Sequence, residues 1–228
     1  MEKFIENSIV SQNNVLIYNG VRIVYSEILE NCILGDFSRV SHSYLKGYNR
    51  VDRNTLIYHS NLELFTYVGS NSVIMHSKIG KMSSISWGVT IGPANHDYKK
   101  ITSHDFLYND FYGIKPNDEP AAYNRFEKKT LIGNDVWIGA NSTILNGILI
   151  GDGAVIGANT IVTKDVPPYA IIVGNPGKVV KFRFEKKIIE TLLELKWWDF
   201  PKEVIQENYE IFKDSNIENS IRVLSKLK

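Results

Sequence analysis

The chain has 228 residues, 43% of them hydrophobic, and a formal net charge of +1 from 26 basic and 25 acidic side chains. That length buries a substantial core in one domain, and near-neutral charge without long like-charge blocks excludes a nucleic-acid footprint and a basic membrane-binding face. The single cysteine, Cys32, excludes an intramolecular disulfide framework and a cysteine-based zinc site, and it fits a reducing compartment, so the expected location is the cytoplasm.

In chain order, Met1 to Asn14 alternates apolar and polar residues without a continuous apolar h-region. No stretch approaches bilayer-spanning length, so the chain reads as soluble and unprocessed. Leu34-Gly35 and Val40 suggest degraded repeat units, and the repeat is expected to begin near Val21 or before. His42, His59 and His76 recur every 17 residues, close to one coil, and are expected to stack as a ladder. A metal site there is disfavoured because no carboxylate or thiolate accompanies them; His76 reads better as an acceptor-side wall residue. Val68-Gly69 looks like another unit, one residue out of phase with Ile79, Ile85 and Ile91, of which Ile79 and Ile91 are followed by Gly80 and Gly92.

Between Pro93 and Lys129 the repeat disappears and aromatic residues crowd in, among them Tyr98, Phe106, Tyr108, Phe111, Tyr112, Tyr123 and Phe126. A loop of this length is usually functional or disordered, and its aromatic density argues against disorder. The repeat then resumes in its clearest form: Ile132, Ile138, Ile144, Ile150, Ile156 and Val162 fall at every sixth position, with Gly133, Gly139, Gly151 and Gly157 following. Neither an amphipathic helix nor an ordinary half-buried strand has that period. A six-residue unit fits a short strand plus a turn, one aliphatic pointing inward and glycine relieving the bend, with three units per coil stacked at about 4.8 Å. After Pro176, Ile188, Leu192 and Leu195 have helical spacing, and Ile217, Ile221 and Leu224 follow Asp214 and Ser215 as capping candidates, so a helical tail is expected to pack on the end of the prism. The domain reading is a β-helix over 1–180 with an acceptor loop at 93–129, then a helical extension over 181–228.

Several motifs carry a family resemblance. They are Ile85-Ser86-Trp87-Gly88-Val89-Thr90-Ile91-Gly92 leading to Asn95-His96, Ile132-Gly133-Asn134-Asp135-Val136-Trp137-Ile138-Gly139-Ala140, Val162-Thr163-Lys164-Asp165-Val166-Pro167-Pro168-Tyr169, Gly174-Asn175-Pro176-Gly177-Lys178, and Trp197-Trp198-Asp199-Phe200-Pro201. Across roughly Val68 to Pro201 the chain resembles the hexapeptide-repeat acyltransferases. Within them it resembles the xenobiotic branch, which includes chloramphenicol and streptogramin acetyltransferases and polysaccharide-modifying relatives. The resemblance implies a mainly β fold, a left-handed parallel β-helix shaped as a triangular prism; the hand comes from it alone, because parallel crossovers are otherwise right-handed. It also implies a homotrimer with active sites between subunits and acetyl-CoA as co-substrate, with no metal.

His96 stands where the family places its catalytic histidine, and an imidazole with a pKa near 6.5 is suited to general-base work at neutral pH. Asp97 and Asp105 are candidates to orient it, as is a backbone carbonyl. No serine or cysteine nucleophile with a paired base stands out, which favours direct attack on the thioester. For CoA, the resemblance implies that pantetheine runs along backbone at Gly139, Ala140, Gly157 and Ala158 beside Trp137, and that Thr163, Lys164, Lys178 and Lys181 meet the nucleotide end. Gly177 replaces the alanine common in the family's Asn-Pro-Ala-Lys form. Trp87, Asn95, Tyr98, His104, Phe106 and Tyr108 are the acceptor-binding candidates, since flat aromatic faces with hydroxyl tips suit sugar rings.

The expected activity is acetyl transfer to a hydroxyl or amino group of a saccharide or related small acceptor. Alternatives are an antibiotic acetyltransferase, a nucleotide-amino-sugar N-acetyltransferase, and a structural or zinc-binding hexapeptide-repeat trimer.

Overall fold

The computed structural model describes residues 2–227. From Phe4 onward the chain winds through short strands that return every third strand to the same sheet, giving three parallel faces of a solenoid. Face I holds eight strands from Phe4–Glu6 to Ile161–Val162, and face II seven from Ile9–Val10 to Leu149–Ile150. Face III runs from Leu16–Ile17 to Ala170–Val173 and is closed by an antiparallel ninth strand, Lys178–Phe182. The fold is therefore a three-sided parallel β-helix with helices after it.

Strands of two or three residues stand only because each buries one aliphatic side chain in a common column. Face I contributes Ile23, Val40, Ile57, Ile74, Ile91 and Ile144, all fully buried. Face II contributes Ile28, Leu45, Leu62, Ile79, Ile132 and Ile150, and face III Leu34, Val51, Val68, Ile85, Ile138 and Ile156. Each such burial contributes about 1.5–3 kcal/mol before chain entropy is subtracted.

The phase slip at Val68 has a simple cause. On face I the N-terminal coils repeat every 17 residues (Ile23, Val40, Ile57, Ile74, Ile91), because the edge between faces I and II is one residue short. That edge turns on Tyr25, His42, His59 and His76, at φ of 46°, 49°, 46° and 43°. A serine follows each. The backbone N–H groups of Ser43, Ser60 and Ser77 donate to the hydroxyls of Ser26, Ser43 and Ser60 at 3.0–3.1 Å, closing the tight corner.

The glycines of the repeat do a different job from the one expected of them. Gly133, Gly139 and Gly151 do not take the bends; Asp135, Asn141, Gly153 and Asn159 do, at φ of 52°, 58°, 68° and 57°. A Cβ on Gly133, Gly139 or Gly151 would instead lie 2.7, 2.6 or 2.5 Å from a backbone nitrogen of the next coil. Glycine here is clearance between stacked coils.

The tail contains α1 (Lys186–Leu195), α2 (Lys202–Glu207), α3 (Tyr209–Lys213) and α4 (Ile217–Leu224). It packs along the side of the prism as well as near its end, following the edge between faces II and III. Tyr169 joins Leu192, Leu195 and Leu224 in its core, Arg183 pairs with Asp135 at 2.9 Å, Lys81 with Asp199 at 2.7 Å, and the Lys202 ammonium lies over Tyr48. The cap of α4 is Asn216, whose side chain accepts from the Asn219 N–H at 3.0 Å; Asp214 instead accepts from the Asn216 N–H at 2.8 Å. No helix among the described residues is long and apolar enough to cross a membrane.

Candidate active site

The aperiodic segment leaves face I after Thr90–Ile91 and rejoins face II at Thr130–Ile132, so it projects from the I/II edge. Beneath it the three histidines stack, His42 on His59 at 4.5 Å and His59 on His76 at 4.8 Å between centroids. Tyr25 extends the column at one end and Phe126, from the returning loop, at the other. Burial first, then the neighbouring histidine and Lys129, pushes His59 and His76 below the usual histidine range. Among the described residues no group of three or more His, Cys, Asp or Glu side chains is placed to hold a metal ion.

The loop is cinched at its neck. The Asn95 N–H donates to the Arg125 carbonyl at 3.1 Å, and the Asn95 carbonyl accepts from the Tyr123 hydroxyl at 2.6 Å and from Arg125 Nε at 3.2 Å. The Tyr123 phenol is pushed up to about 12, by desolvation first and then by the neighbouring Tyr108 hydroxyl. His96 sits in this neck, exposed, with its ring edge-on to Tyr108 at 5.8 Å. Its Nδ1 lies 2.6 Å from the Ser103 carbonyl, which accepts a hydrogen bond and so places the proton on Nδ1. Nε2 is then left with a free lone pair, and Arg125 Nη2 donates to it at 2.8 Å.

Neither nearby carboxylate orients His96 directly. Asp97 accepts from the Lys99 N–H and pairs with Lys100, while Asp105 binds Arg125 Nη1 at 3.1 Å and reaches His96 only through that guanidinium. The orienting group is the Ser103 carbonyl. Arg125 escaped the sequence reading, although one signal pointed to it: it is the single arginine between Pro93 and Lys129. Its contact with His96 spans 29 residues of aperiodic chain, which no spacing rule can see.

The structure gathers some acceptor candidates and separates others. Asn95, Phe106, Tyr108 and His104 stand in the loop with His96; His104 Nδ1 accepts from the Phe106 N–H at 3.2 Å and caps the short 3-10 turn Asp105–Leu107. Tyr98 is 83% exposed at the loop surface. Trp87 stands apart: Ser84 and Ile85 pair with Trp137 and Ile138, which puts Trp87 below Ala140 on the edge between faces III and I.

The CoA candidates likewise fall on two edges. Gly139, Ala140, Gly157 and Ala158 stack on the III/I edge, Ala140 accepting from the Asn159 N–H at 2.8 Å. Trp137, Val155, Ile171 and Lys181 form one cross-strand row on face III, and Lys178 lies opposite Val173. Thr163 and Lys164 follow the strand Ile161–Val162 and lie across face I, on the I/II edge. Within one chain, the His96 edge and the Ala140 edge are separated by the width of face I.

The bacterial transferase hexapeptide (six repeats) family matches residues 129–164. A probable macrolide acetyltransferase of Lysinibacillus sphaericus is 41% identical over 156 residues, covering 65% of this chain and 83% of that protein. A chloramphenicol acetyltransferase of Klebsiella aerogenes is 42% identical over 147 residues, covering 61% and 67%. Among solved structures, the N-acyltransferase AntD from Bacillus cereus, in complex with coenzyme A and dTDP-4-amino-4,6-dideoxyglucose, aligns over 83% of this chain and 90% of that one at 22% identity and a TM-score of 0.47. The chain belongs to the hexapeptide-repeat acyltransferases, in the acetyltransferase branch that contains the macrolide and chloramphenicol enzymes.

Proposed function

We propose that this acetyltransferase moves the acetyl group of acetyl-CoA to a hydroxyl or amino group of a saccharide, with His96 Nε2 as general base. The observation that carries the reading is the Ser103 carbonyl at 2.6 Å from Nδ1. It fixes the tautomer whose remaining nitrogen can accept a proton, as a general base requires. The acceptor O–H or N–H bond gives its proton to Nε2 as the heteroatom bonds to the thioester carbonyl carbon. Collapse of the tetrahedral adduct breaks the C–S bond, and the CoA thiolate takes the proton from Nε2. Loop aromatics supply flat faces for a sugar ring, with Tyr98 and Phe111 more than 80% exposed.

CoA would run along the III/I edge past Ala158 and Ala140, with Trp137 beside the pantetheine and Lys178 and Lys181 at the phosphates. The edge suits an extended arm, since Gly139 and Gly157 leave no side chain between coils there. Because His96 and this edge lie on opposite sides of face I, one complete site needs the loop of one copy beside the III/I edge of another. A homotrimer meets that requirement and would bring Trp87, Thr163 and Lys164 into the same cleft. Acetyl-CoA as donor favours a cytoplasmic location.

A second reading, an antibiotic hydroxyl as acceptor, is favoured by the macrolide and chloramphenicol relatives. Release of free thiol from acetyl-CoA across panels of sugars, nucleotide-sugars and antibiotics separates the two. His96→Ala should lower turnover by roughly 10²-fold or more with CoA affinity unchanged. Unchanged turnover removes His96 as the base, and turnover confined to antibiotics replaces the saccharide.

A further inference from the structure

We propose that Arg125 is the acceptor-positioning residue of this site and that it selects a hydroxyl over an amine. The inference rests on His96 as general base and specifies which of the two acceptor groups that base serves. Its ground is a competition for one lone pair. Nδ1 of His96 is committed to the Ser103 carbonyl, so the acceptor proton must arrive at Nε2, where Arg125 Nη2 already donates at 2.8 Å.

Arg125 is too firmly held to swing clear. Nε donates to the Asn95 carbonyl at 3.2 Å, Nη1 to Asp105 at 3.1 Å, and the guanidinium carbon Cζ lies over the Tyr108 ring, 5.0 Å from its centroid. Its side chain is only 25% exposed. A guanidinium has five N–H donors in a fixed fork, and three are in use here, on Asn95, Asp105 and His96, so an incoming oxygen can be met without breaking the anchors. The acceptor atom enters between Nη2 and Nε2.

That position sets a chemical requirement. The entering atom must accept a hydrogen bond from Arg125 while donating one to His96. A hydroxyl does both. A primary amine is protonated at neutral pH and brings a second positive charge against the guanidinium; its neutral form has one lone pair, which a hydrogen bond from Arg125 would occupy, leaving none to attack the thioester, whereas a hydroxyl oxygen has two. In the reaction, the hydroxyl proton passes to Nε2, the oxygen bonds to the acetyl carbon as the C–S bond breaks, and the thiolate collects the proton. Arg125 remains hydrogen-bonded to the oxygen while negative charge builds on it, and its fixed positive charge beside the newly protonated imidazole favours passing that proton on.

The test compares wild type with Arg125→Gln and Arg125→Lys, each first checked for an unchanged melting temperature, and with His96→Ala. The first measurement needs no acceptor: the rate at which diethyl pyrocarbonate modifies His96, read by peptide mass spectrometry. Uncovering Nε2 in Arg125→Gln should raise it roughly three- to tenfold, the weight of one ordinary hydrogen bond; an unchanged rate overturns the proposal. The second is thiol release with methyl glucoside and with its 6-amino-6-deoxy counterpart. Wild type should acetylate the hydroxyl sugar, and Arg125→Gln should lose roughly 10- to 100-fold in kcat, the range for one hydrogen bond to a charged group, while Arg125→Lys recovers part of it.

Preference of wild type for the amine overturns the proposal, as does full turnover in Arg125→Gln. Where neither sugar reacts, the modification rate decides. Loss of turnover in His96→Ala alongside an unaffected Arg125→Gln removes this inference and leaves the base in place; an unaffected His96→Ala removes the base itself.

Discussion

Phe126 lies flat on His76, ring centroids 3.7 Å apart and planes inclined by 13°, so the returning end of the aperiodic loop is the top step of the histidine stack. Arg125 precedes Phe126 in the chain, and the register of the solenoid wall is thereby transmitted to the guanidinium that meets His96. Phe126→Ala should lower kcat by about tenfold, since misplacement of a reacting group by an ångström can cost up to roughly 10²-fold. Calorimetric CoA affinity should not change. A variant with wild-type kcat would show that the stack does not position the loop.

The same stack gives a direction for pH dependence. His59 and His76 are held below the ordinary value near 6.5, by burial first, then by His42 or His59, then by Lys129. As pH falls through 6.5 the unfolded chain takes up these protons before the folded chain does, so stability is full above about 6.5 and declines towards pH 5. Tyr25 already places an aromatic ring at the same left-handed I/II corner, at φ 46°. The double variant His59→Phe with His76→Phe should therefore fold, keep the stack and show a flatter melting temperature between pH 7.5 and 5 in thermal scans. Profiles of the same slope would assign the acid sensitivity to other groups.

Much of the fold was legible because the physics that makes it is periodic. A column of buried aliphatics must repeat with the coil, and Ile132 to Val162 does so every sixth residue. The N-terminal coils were harder to read, because a corner shortened by one residue breaks a strict six-residue register while leaving the 17-residue repeat of Ile23 to Ile91 intact. His42, His59 and His76 carry the same 17-residue spacing on the surface of the turn. His96 stands out in the sequence through motif resemblance, and the structure places it in the neck of the loop. Ser103 and Arg125 do not stand out, because a backbone carbonyl has no sequence signature and the loop folds back on itself without a period.

The two kinds of corner residue make opposite predictions for single substitutions. Gly139→Ala would put a methyl 2.6 Å from the Ala158 nitrogen, forcing adjacent coils apart at a cost of roughly 1–3 kcal/mol, as for overpacking. Asn159 takes its bend at φ 57°, a conformation glycine adopts freely, so Asn159→Gly should change stability by no more than about 1 kcal/mol. Denaturant midpoints measure both. If Gly139→Ala were the better tolerated of the two, clearance would not be the reason for glycine in this repeat.

The nucleotide end of CoA offers a test that leaves the chemistry untouched. Lys178 opens the antiparallel strand that closes face III, opposite Val173, while Lys181 lies opposite Ile171 in the row that contains Trp137. On the proposed CoA path, Lys178, beside the turn at Gly174 to Gly177, would meet the 3′-phosphate beyond the end of the row, and Lys181 the pyrophosphate. Lys178→Ala should therefore weaken CoA by roughly tenfold, as for one hydrogen bond to a charged group, and weaken dephospho-CoA much less. The difference should shrink as salt is raised, because an exposed ammonium is screened over about 10 Å at 0.1 M. Lys181→Ala should weaken both ligands alike. Equal losses for CoA and dephospho-CoA in Lys178→Ala would remove it from the 3′-phosphate, and a selective loss in Lys181→Ala would transfer that role to the neighbouring lysine.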